Sequence, residues 1–400
     1  MHVCDILMRL PWRYFFQIII EWCRNLFYHL CLTNIKTNMP RYIVDANIAR
    51  AKTISSEFYT DAAAFGQCKE KVFAPSWQFI GSEDLVKDNG SVYPFTLLQN
   101  HLDEPLLLSR DKNGTINLLS NVCTHRGNLI ADKACILSNL KCRYHGRLFG
   151  LDGKFISMPE FKEVENFPTK DDDLPQLNLF KWSKWLFTSV EQKYPHDIFF
   201  RDMIQRVSWM PLDDFKFEPK LSKVFNIKCN WALYCENYLE GFHIPFVHAG
   251  LNAVIDFGEY ATELFFPYSS LQLGLSKNKA DCFELPQTSH DYGKNVAAYY
   301  FWVFPNMMFN FYPWGLSVNV VEPITVEECR VCFYSYVWDE SKLDKGAGVG
   351  LDKVEMEDEE IVENVQRGVR SRFYKHGRYS VTREQGTHHF HRILAEFMNK

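Results

Sequence analysis

The chain has 400 residues, of which 46% are hydrophobic and 23% charged, and carries a net charge of −5. That length suits two domains and a large core, the composition is that of an ordinary globular protein, and the slightly acidic balance gives no reason to expect nucleic acid as a partner.

The first 38 residues stand apart from the rest. Leu10 to Leu32 is apolar and aromatic, but Arg13, Glu21 and Arg24 interrupt it. No run therefore approaches the ~20 residues a membrane span needs, and no small-residue cleavage site of the signal-peptide kind follows. Met39-Pro40-Arg41 suits a true start, which makes residues 1–38 a gene-model extension; the competing reading is an interfacial amphipathic anchor. From Ile43 to about Lys69 a ligand-free helical segment is predicted, packed on the second domain.

Residues 70–194 are expected to form a small all-β domain, because short β-type runs are split by the turn signals Asn89-Gly90, Lys112-Asn113-Gly114 and Asp152-Gly153-Lys154. Within it lie Cys123-Thr124-His125 and Cys142-Arg143-Tyr144-His145, suited to the tips of two hairpin-like loops. Two thiolates and two neutral imidazoles form the ligand set of a Rieske [2Fe–2S] cluster, in which the imidazoles raise the reduction potential. They are also the ligand types of a Cys2His2 zinc site. Zinc sites usually pair C-x-x-C with H-x3-5-H, whereas here Cys and His alternate within each arm, so the cluster is preferred. Gly127 and Gly146 are expected to let backbone approach it without a Cβ in the way. Although 12 cysteines make an even count, a thiolate-held cluster points to a reducing, cytoplasmic setting rather than to disulfides. Lys170-Asp171-Asp172-Asp173-Leu174-Pro175 reads as a surface loop, and the domain boundary is placed near Pro195-His196-Asp197.

Residues 195–400 mix helix and strand. In Glu236-Asn237-Tyr238-Leu239-Glu240-Gly241-Phe242-His243-Ile244-Pro245-Phe246-Val247-His248, Glu240 and His243 share a helical face, but a five-residue step would swing His248 about 140° away. Both histidines reach one metal only if the helix breaks between them, and Pro245 is the expected breaker. Two histidines with a later carboxylate make the facial triad of non-haem Fe(II), which leaves positions open for O2. The acidic helix predicted from Lys353 to Arg372 offers many carboxylates, and spacing does not choose among them. Between these segments, Tyr299 to Trp338 alternates apolar and polar residues in strand-length pieces. Its aromatics suit a packed core, with Trp302 and Tyr312 the assigned substrate contacts if a few of them hold an ammonium. Cys329 and Cys332 fall on opposite faces of one strand and read as core. His388, His389 and His391 do not share a helix face and read as structural. No G-x-G-x-x-G opens a helix, so electrons must come from a separate NAD(P)H-dependent reductase.

From about Phe73 to the C-terminus the chain resembles the catalytic α subunits of the Rieske non-haem iron oxygenases. The resemblance implies an α+β protein, with the all-β cluster domain joined to a helix-grip catalytic domain around a central antiparallel sheet. It implies a [2Fe–2S] cluster on Cys123, His125, Cys142 and His145, and Fe(II) on His243, His248 and Asp358. Asp358 is chosen because an acidic pair followed by E-x-x-Q, here Glu363 and Gln366, marks the ligand. The assigned catalytic residues are Glu240 and Asn237. Glu240 stands where most members carry the Asp that bridges to a cluster histidine of a neighbouring subunit, and this departure is shared with members acting on carnitine and glycine betaine. Arg143 and Arg147 replace the usual Pro and Trp of C-P-Y-H-G-W. The implied assembly is a homotrimer or a multiple of it, and the implied reaction uses O2 on a small molecule, a quaternary amine. The alternatives are an aromatic-ring or sterol-type substrate, or a non-catalytic electron-transfer protein with a disrupted triad.

Overall fold

The structure, a computed structural model, describes residues 42–343 and 345–400. The readings made for residues 1–38 lie outside the described residues. From Tyr42 the chain runs as turns rather than the predicted helix. Asp45 accepts from the Asn47 N–H at 2.8 Å and Asn47 from the Ala49 N–H at 3.0 Å, so short polar side chains divert the backbone groups that a helix would use. Helix begins only near Ser56, as a short turn over Ser56–Tyr59, followed by α1 (Ala62–Cys68), which the Asp61 side chain caps.

Ten strands follow: β1 (Gln78–Ser82), β2 (Ser91–Leu97), β3 (Glu104–Arg110), β4 (Ile116–Ser120), β5 (Cys135–Ile136), β6 (Leu140–Lys141), β7 (Leu148–Phe149), β8 (Phe155–Ser157), β9 (Leu179–Trp182) and β10 (Trp185–Thr188). They pair as β4-β3-β2-β5, β6-β7-β8 and β1-β10-β9. The turns joining them follow the sequence signals. Gly114, between β3 and β4, has φ +83°, a conformation that favours glycine, and Asp111 accepts from the N–H groups of Asn113 and Thr115 in the same turn.

After α2 (Asp197–Arg206), β11 (Lys216–Phe217) and β12 (Lys223–Ile227) lead to α3 (Trp231–Tyr238), α4 (Ile244–Val247) and α5 (Ala249–Val254). Strands β13 (Ala261–Phe265), β14 (Ser269–Leu275), β15 (Val296–Val303), β16 (Met307–Tyr312), β17 (Gly315–Thr325) and β18 (Glu328–Val337) then build one antiparallel sheet in the order β11-β18-β17-β16-β15-β14-β13, with β12 also on β18. Helices α6 (Leu351–Val369) and α7 (Gln385–Asn399) complete the chain. The fold is mixed α+β: all-β sheets first, then a large antiparallel sheet with helices.

Alternation along the central strands sorts their aromatics. Phe309 and Phe311 meet Trp182, and Phe309 also meets Phe187, so one sheet face packs on β9 and β10. Tyr300, Asn310 and Tyr312 face the other way, into a cavity shared with α3 and α6. Cys329 and Cys332 are buried in β18, as their spacing suggested.

Candidate active site

The two cluster arms are built alike. The first turns back through a Val122–Leu129 bridge, and the second is the tip of the β6–β7 hairpin. In the first, the Cys123 N–H donates to Asn128 O at 2.8 Å and the Gly127 N–H to Cys123 O at 3.0 Å; in the second, the Cys142 N–H donates to Arg147 O at 2.9 Å and the Gly146 N–H to Cys142 O at 3.0 Å. Gly127 and Gly146 adopt φ +71° and +76°. The turn itself therefore requires both glycines. The turns bring the His125 and His145 rings to 4.7 Å between centroids at 77°, both half-buried, above the buried Cys123 and Cys142. Asn128 Nδ2 lies 3.7 Å from Cys142 Sγ. Although burial opposes ionisation of the Cys142 thiol, N–H groups of Tyr144 and His145 and the neighbouring Cys123 draw it below its ordinary range. Two soft sulfurs and two imidazoles converging at loop tips fit a Rieske cluster.

Residues 170–175 do more than form a surface loop. The backbone carbonyl of Asp172 accepts from Thr124 Oγ1 at 2.9 Å and from Arg147 at 3.3 Å, and its carboxylate pairs with Arg147. Asp172 thus ties the two arms together from behind. Arg147, 2% exposed, fills the site of the family's Trp with its guanidinium 5.1–5.8 Å from the ring centroids of Phe149, Phe155 and Phe167. Arg143 points outward and pairs with Asp132 at 3.2 Å.

The second constellation is drawn from three places. Helix α3 ends at Tyr238, and His243 and His248 flank the four-residue α4. Pro245 does not break this helix, as the sequence suggested; it sits in its first turn, where a missing N–H costs nothing. The redirection comes from the turn before His243 and from His248 itself, whose φ −109° and ψ 76° are non-helical. The two rings meet at 5.0 Å and 78°.

Their nitrogens are divided in the same way. His243 Nδ1 lies 2.7 Å from Glu240 Oε1, and His248 Nδ1 lies 2.8 Å from Glu357 Oε2. The two Nε2 atoms turn to Asp358 Oδ1, at 3.6 Å from His243 and 3.0 Å from His248. One ligand atom from each of His243, His248 and Asp358 lies within 4.8 Å of the others. Carboxylates on both Nδ1 atoms fix the tautomer that leaves Nε2 free for a metal, so this donor set fits a 2-His-1-carboxylate iron. Burial works against charge on His248, but Asp358 and Glu357 raise its affinity for a proton above the ordinary value. Asn237 donates to Asp358 Oδ1 at 2.6 Å. Glu240 also accepts from the backbone N–H of His243 at 3.1 Å and from that of Phe242.

Glu363 and Gln366 have a physical role here. Glu363 accepts from the Lys228 N–H at 3.1 Å and Gln366 from the Asn230 N–H at 2.8 Å, which fastens α6, carrying Asp358, to the start of α3.

Beside the triad lies a cavity of about 110 Å³. Tyr238, Tyr260, Tyr300 and Tyr312 line it, with Gln272, Asn310, Asn319 and Glu355. Of the two assigned substrate contacts, Tyr312 stands in this wall, stacked on Trp314 at 5.3 Å. Trp302 does not: it is fully buried further along β15, packed on Phe304 and on Phe390 of α7. The Tyr238 hydroxyl donates to Asn310 Oδ1 at 2.8 Å. Gly241 is held to glycine by Tyr260, whose ring would lie 2.5 Å from a Cβ there. Sequence reasoning missed Tyr238, Tyr260, Gln272, Asn310, Asn319, Glu355 and Glu357. The available signal was polar residues interrupting otherwise apolar, buried strands, as Asn310 and Asn319 do in β16 and β17. His388, His389 and His391 are buried on α7 away from the triad; His391 is held by Tyr379 at 2.6 Å and Glu236 at 3.0 Å.

Residues 200–400 match the family model described as ring hydroxylating alpha subunit (catalytic domain), and residues 76–168 match the Rieske [2Fe-2S] domain. The chain is 30% identical over 359 residues to the chloroplastic choline monooxygenase of Beta vulgaris, covering 86% of this chain and 77% of that one. It is 28% identical over 369 residues to the carnitine monooxygenase oxygenase subunit of Escherichia coli (strain K12), covering 88% and 95%. A solved quaternary ammonium Rieske monooxygenase shares the fold with a TM-score of 0.70 at 23% identity, covering 89% of this chain and all of that one. A cysteine–histidine pair of loops, a His-His-Asp triad and these similarities over nearly the whole described chain have one reading: it belongs to the Rieske oxygenases, as a ring-hydroxylating-type catalytic alpha subunit related to the choline and carnitine monooxygenases.

Proposed function

We propose that this Rieske oxygenase is the terminal component of a monooxygenase that uses reductase-derived electrons and O2 to hydroxylate or demethylate a small quaternary amine. The observation that carries the oxygenase part of this reading is the division of nitrogens at the triad, each Nδ1 held by a carboxylate and each Nε2 facing Asp358; the substrate part is supported by the tyrosine-lined cavity and by the choline and carnitine relatives. On this reading residues 70–194 form the cluster domain and residues 195–400 the catalytic one. Cys123, His125, Cys142 and His145 would hold the [2Fe–2S] cluster, and His243, His248 and Asp358 the Fe(II). When bound, these groups supply electron storage and O2 activation. The chain's own part is orientation. Glu240 and Glu357 fix the imidazoles, Asn237 directs one oxygen of Asp358, and the tyrosines enclose substrate away from water.

The expected oligomer is a homotrimer or a multiple of it, because head-to-tail contacts must close for every cluster to find an iron. Exposed Tyr144 beside His145, and exposed Phe242 and Phe246 beside His243, support such contacts. Glu240 is the proposed link to a cluster histidine of the adjacent copy. An intact triad disfavours a non-catalytic electron carrier, and the choline and carnitine monooxygenases among the relatives favour a quaternary amine over an aromatic-ring or sterol-type substrate. The described cysteines are free thiols, which supports a reducing compartment such as the cytoplasm. Among the described residues no helix is long and apolar enough to cross a membrane.

The test is O2 uptake by anaerobically loaded enzyme with a competent reductase and choline, carnitine, glycine betaine or stachydrine. Uptake coupled to oxidised product is expected with at least one of them. If all four fail, the quaternary-amine reading is lost and the family assignment stands.

A further inference from the structure

Glu355 lies on α6 one helical turn before Asp358, is 4% exposed, and is part of the cavity wall. Its Oε2 accepts from the Tyr234 hydroxyl at 2.6 Å, while its Oε1 is buried without any hydrogen-bond partner. A native structure seldom leaves a buried carboxyl oxygen unpaired, and doing so is costly unless something else meets it. Among the described residues no lysine or arginine lines the cavity to meet it, and the two lining histidines are engaged by Glu240, Glu357 and Asp358. Five tyrosines stand in the wall, Tyr234 among them, and burial holds the hydroxyls of Tyr238, Tyr260 and Tyr312 well above their ordinary range, so they stay neutral. Faces of neutral rings attract cations. An anionic substrate group, by contrast, would be desolvated here with no lysine or arginine among the described lining residues to pair with.

Resting on the quaternary-amine reading, we propose that Glu355 is the specificity-determining counter-charge of the cavity, which selects an alkylammonium of net positive charge and rejects a zwitterion that also carries a carboxylate. Burial, with the nearby charges of Asp358 and Glu359, pushes the Glu355 carboxyl up to about 8, and an ammonium beside it would favour its charged form. The position is separate from Glu240, Glu357 and Asp358, the carboxylates engaged with His243 and His248.

The probes are choline, its neutral isostere 3,3-dimethylbutan-1-ol, and the zwitterion glycine betaine. Each is titrated calorimetrically into anaerobic, iron-loaded wild type and Glu355→Gln. Wild type is expected to bind choline at least about tenfold more tightly than either other probe, a difference of roughly 1.4 kcal/mol. Glu355→Gln, which keeps the acceptor for Tyr234, is expected to lose most of the preference over the isostere while retaining iron. Equal choline binding in the variant, or wild-type preference for glycine betaine, overturns the proposal while leaving the quaternary-amine reading in place. If no ammonium binds wild type, both fall. Should the variant fail to retain iron, the order of the three probes on wild type still decides the selection of net charge.

Discussion

Cys123, His125, Cys142 and His145 sit on two loops that repeat one turn, closed by the same pair of backbone hydrogen bonds and the same positive-φ glycine. His243, His248 and Asp358 share no such local frame. They come from the two ends of a four-residue helix and from the middle of a helix far along the chain, and are brought together by side chains that hold other side chains. The first site is a local motif that a small domain needs only to support. The second is a product of tertiary structure, and its precision depends on Glu240, Glu357, Asn237, Glu363 and Gln366 as much as on its ligands.

If the two sites are built independently, each should be removable alone, and this is the largest effect expected. His248→Ala deletes a buried imidazole from the triad and should abolish turnover and mononuclear iron while the cluster's absorption and paramagnetic signals persist. His145→Ala should do the reverse, losing the cluster signals and keeping the iron. Loss of both metals in either variant, in protein whose circular dichroism is unchanged, would show that the sites are coupled and the contrast is false.

The same contrast explains what could be read in advance. The cluster ligands were legible because alternating Cys and His in two short arms is a local pattern, and the two histidines of the triad because they lie five residues apart. Asp358 was legible only through resemblance, since nothing local separates it from Glu355, Glu357, Glu359 and Glu360. Trp302 was misplaced because strand alternation assigns a face but not what covers it. Trp302 and Tyr300 share a face of β15, yet one lies under α7 and the other in the cavity. Glu355 had a usable signal, its three-residue spacing from Asp358 on one helix, but the acidic run around it reads as a solvated surface. The helix expected from Ile43 failed where Asp45 and Asn47 cap turns of their own.

A smaller effect is expected behind the cluster. Asp172→Ala would leave Arg147 buried with its charge unpaired; breaking a wholly buried pair typically costs about 3–5 kcal/mol, and the partial exposure of Asp172 places the expected loss below that range. Because the Asp172 carboxylate also accepts from the Thr169 N–H at 2.7 Å and so shapes the loop whose backbone carbonyl meets Thr124, the loss should appear first as faster bleaching of the cluster absorption in denaturant, well before the catalytic domain unfolds. Arg147 held by aromatic packing alone, with bleaching at the wild-type rate, would mean that the turns stand without their brace and that the local frame is self-sufficient.

The smallest effect separates holding a metal from merely being near it. Glu357→Gln keeps the size of the side chain at His248 Nδ1 but removes the charge that makes the imidazole a better donor. Loss of an outer partner of this kind typically lowers metal affinity about 10–100-fold. Iron should therefore leave the variant that much more readily in competition with a chelator, with the cluster signal as internal control, while added iron restores occupancy and part of the turnover. The equivalent change at Glu240 should differ in kind. There the amide should leave iron bound yet stop turnover, because that carboxylate is also the proposed link to the neighbouring copy. If both variants lose iron equally and both recover with added iron, Glu240 is only a second orienting carboxylate, and the path between subunits must run elsewhere.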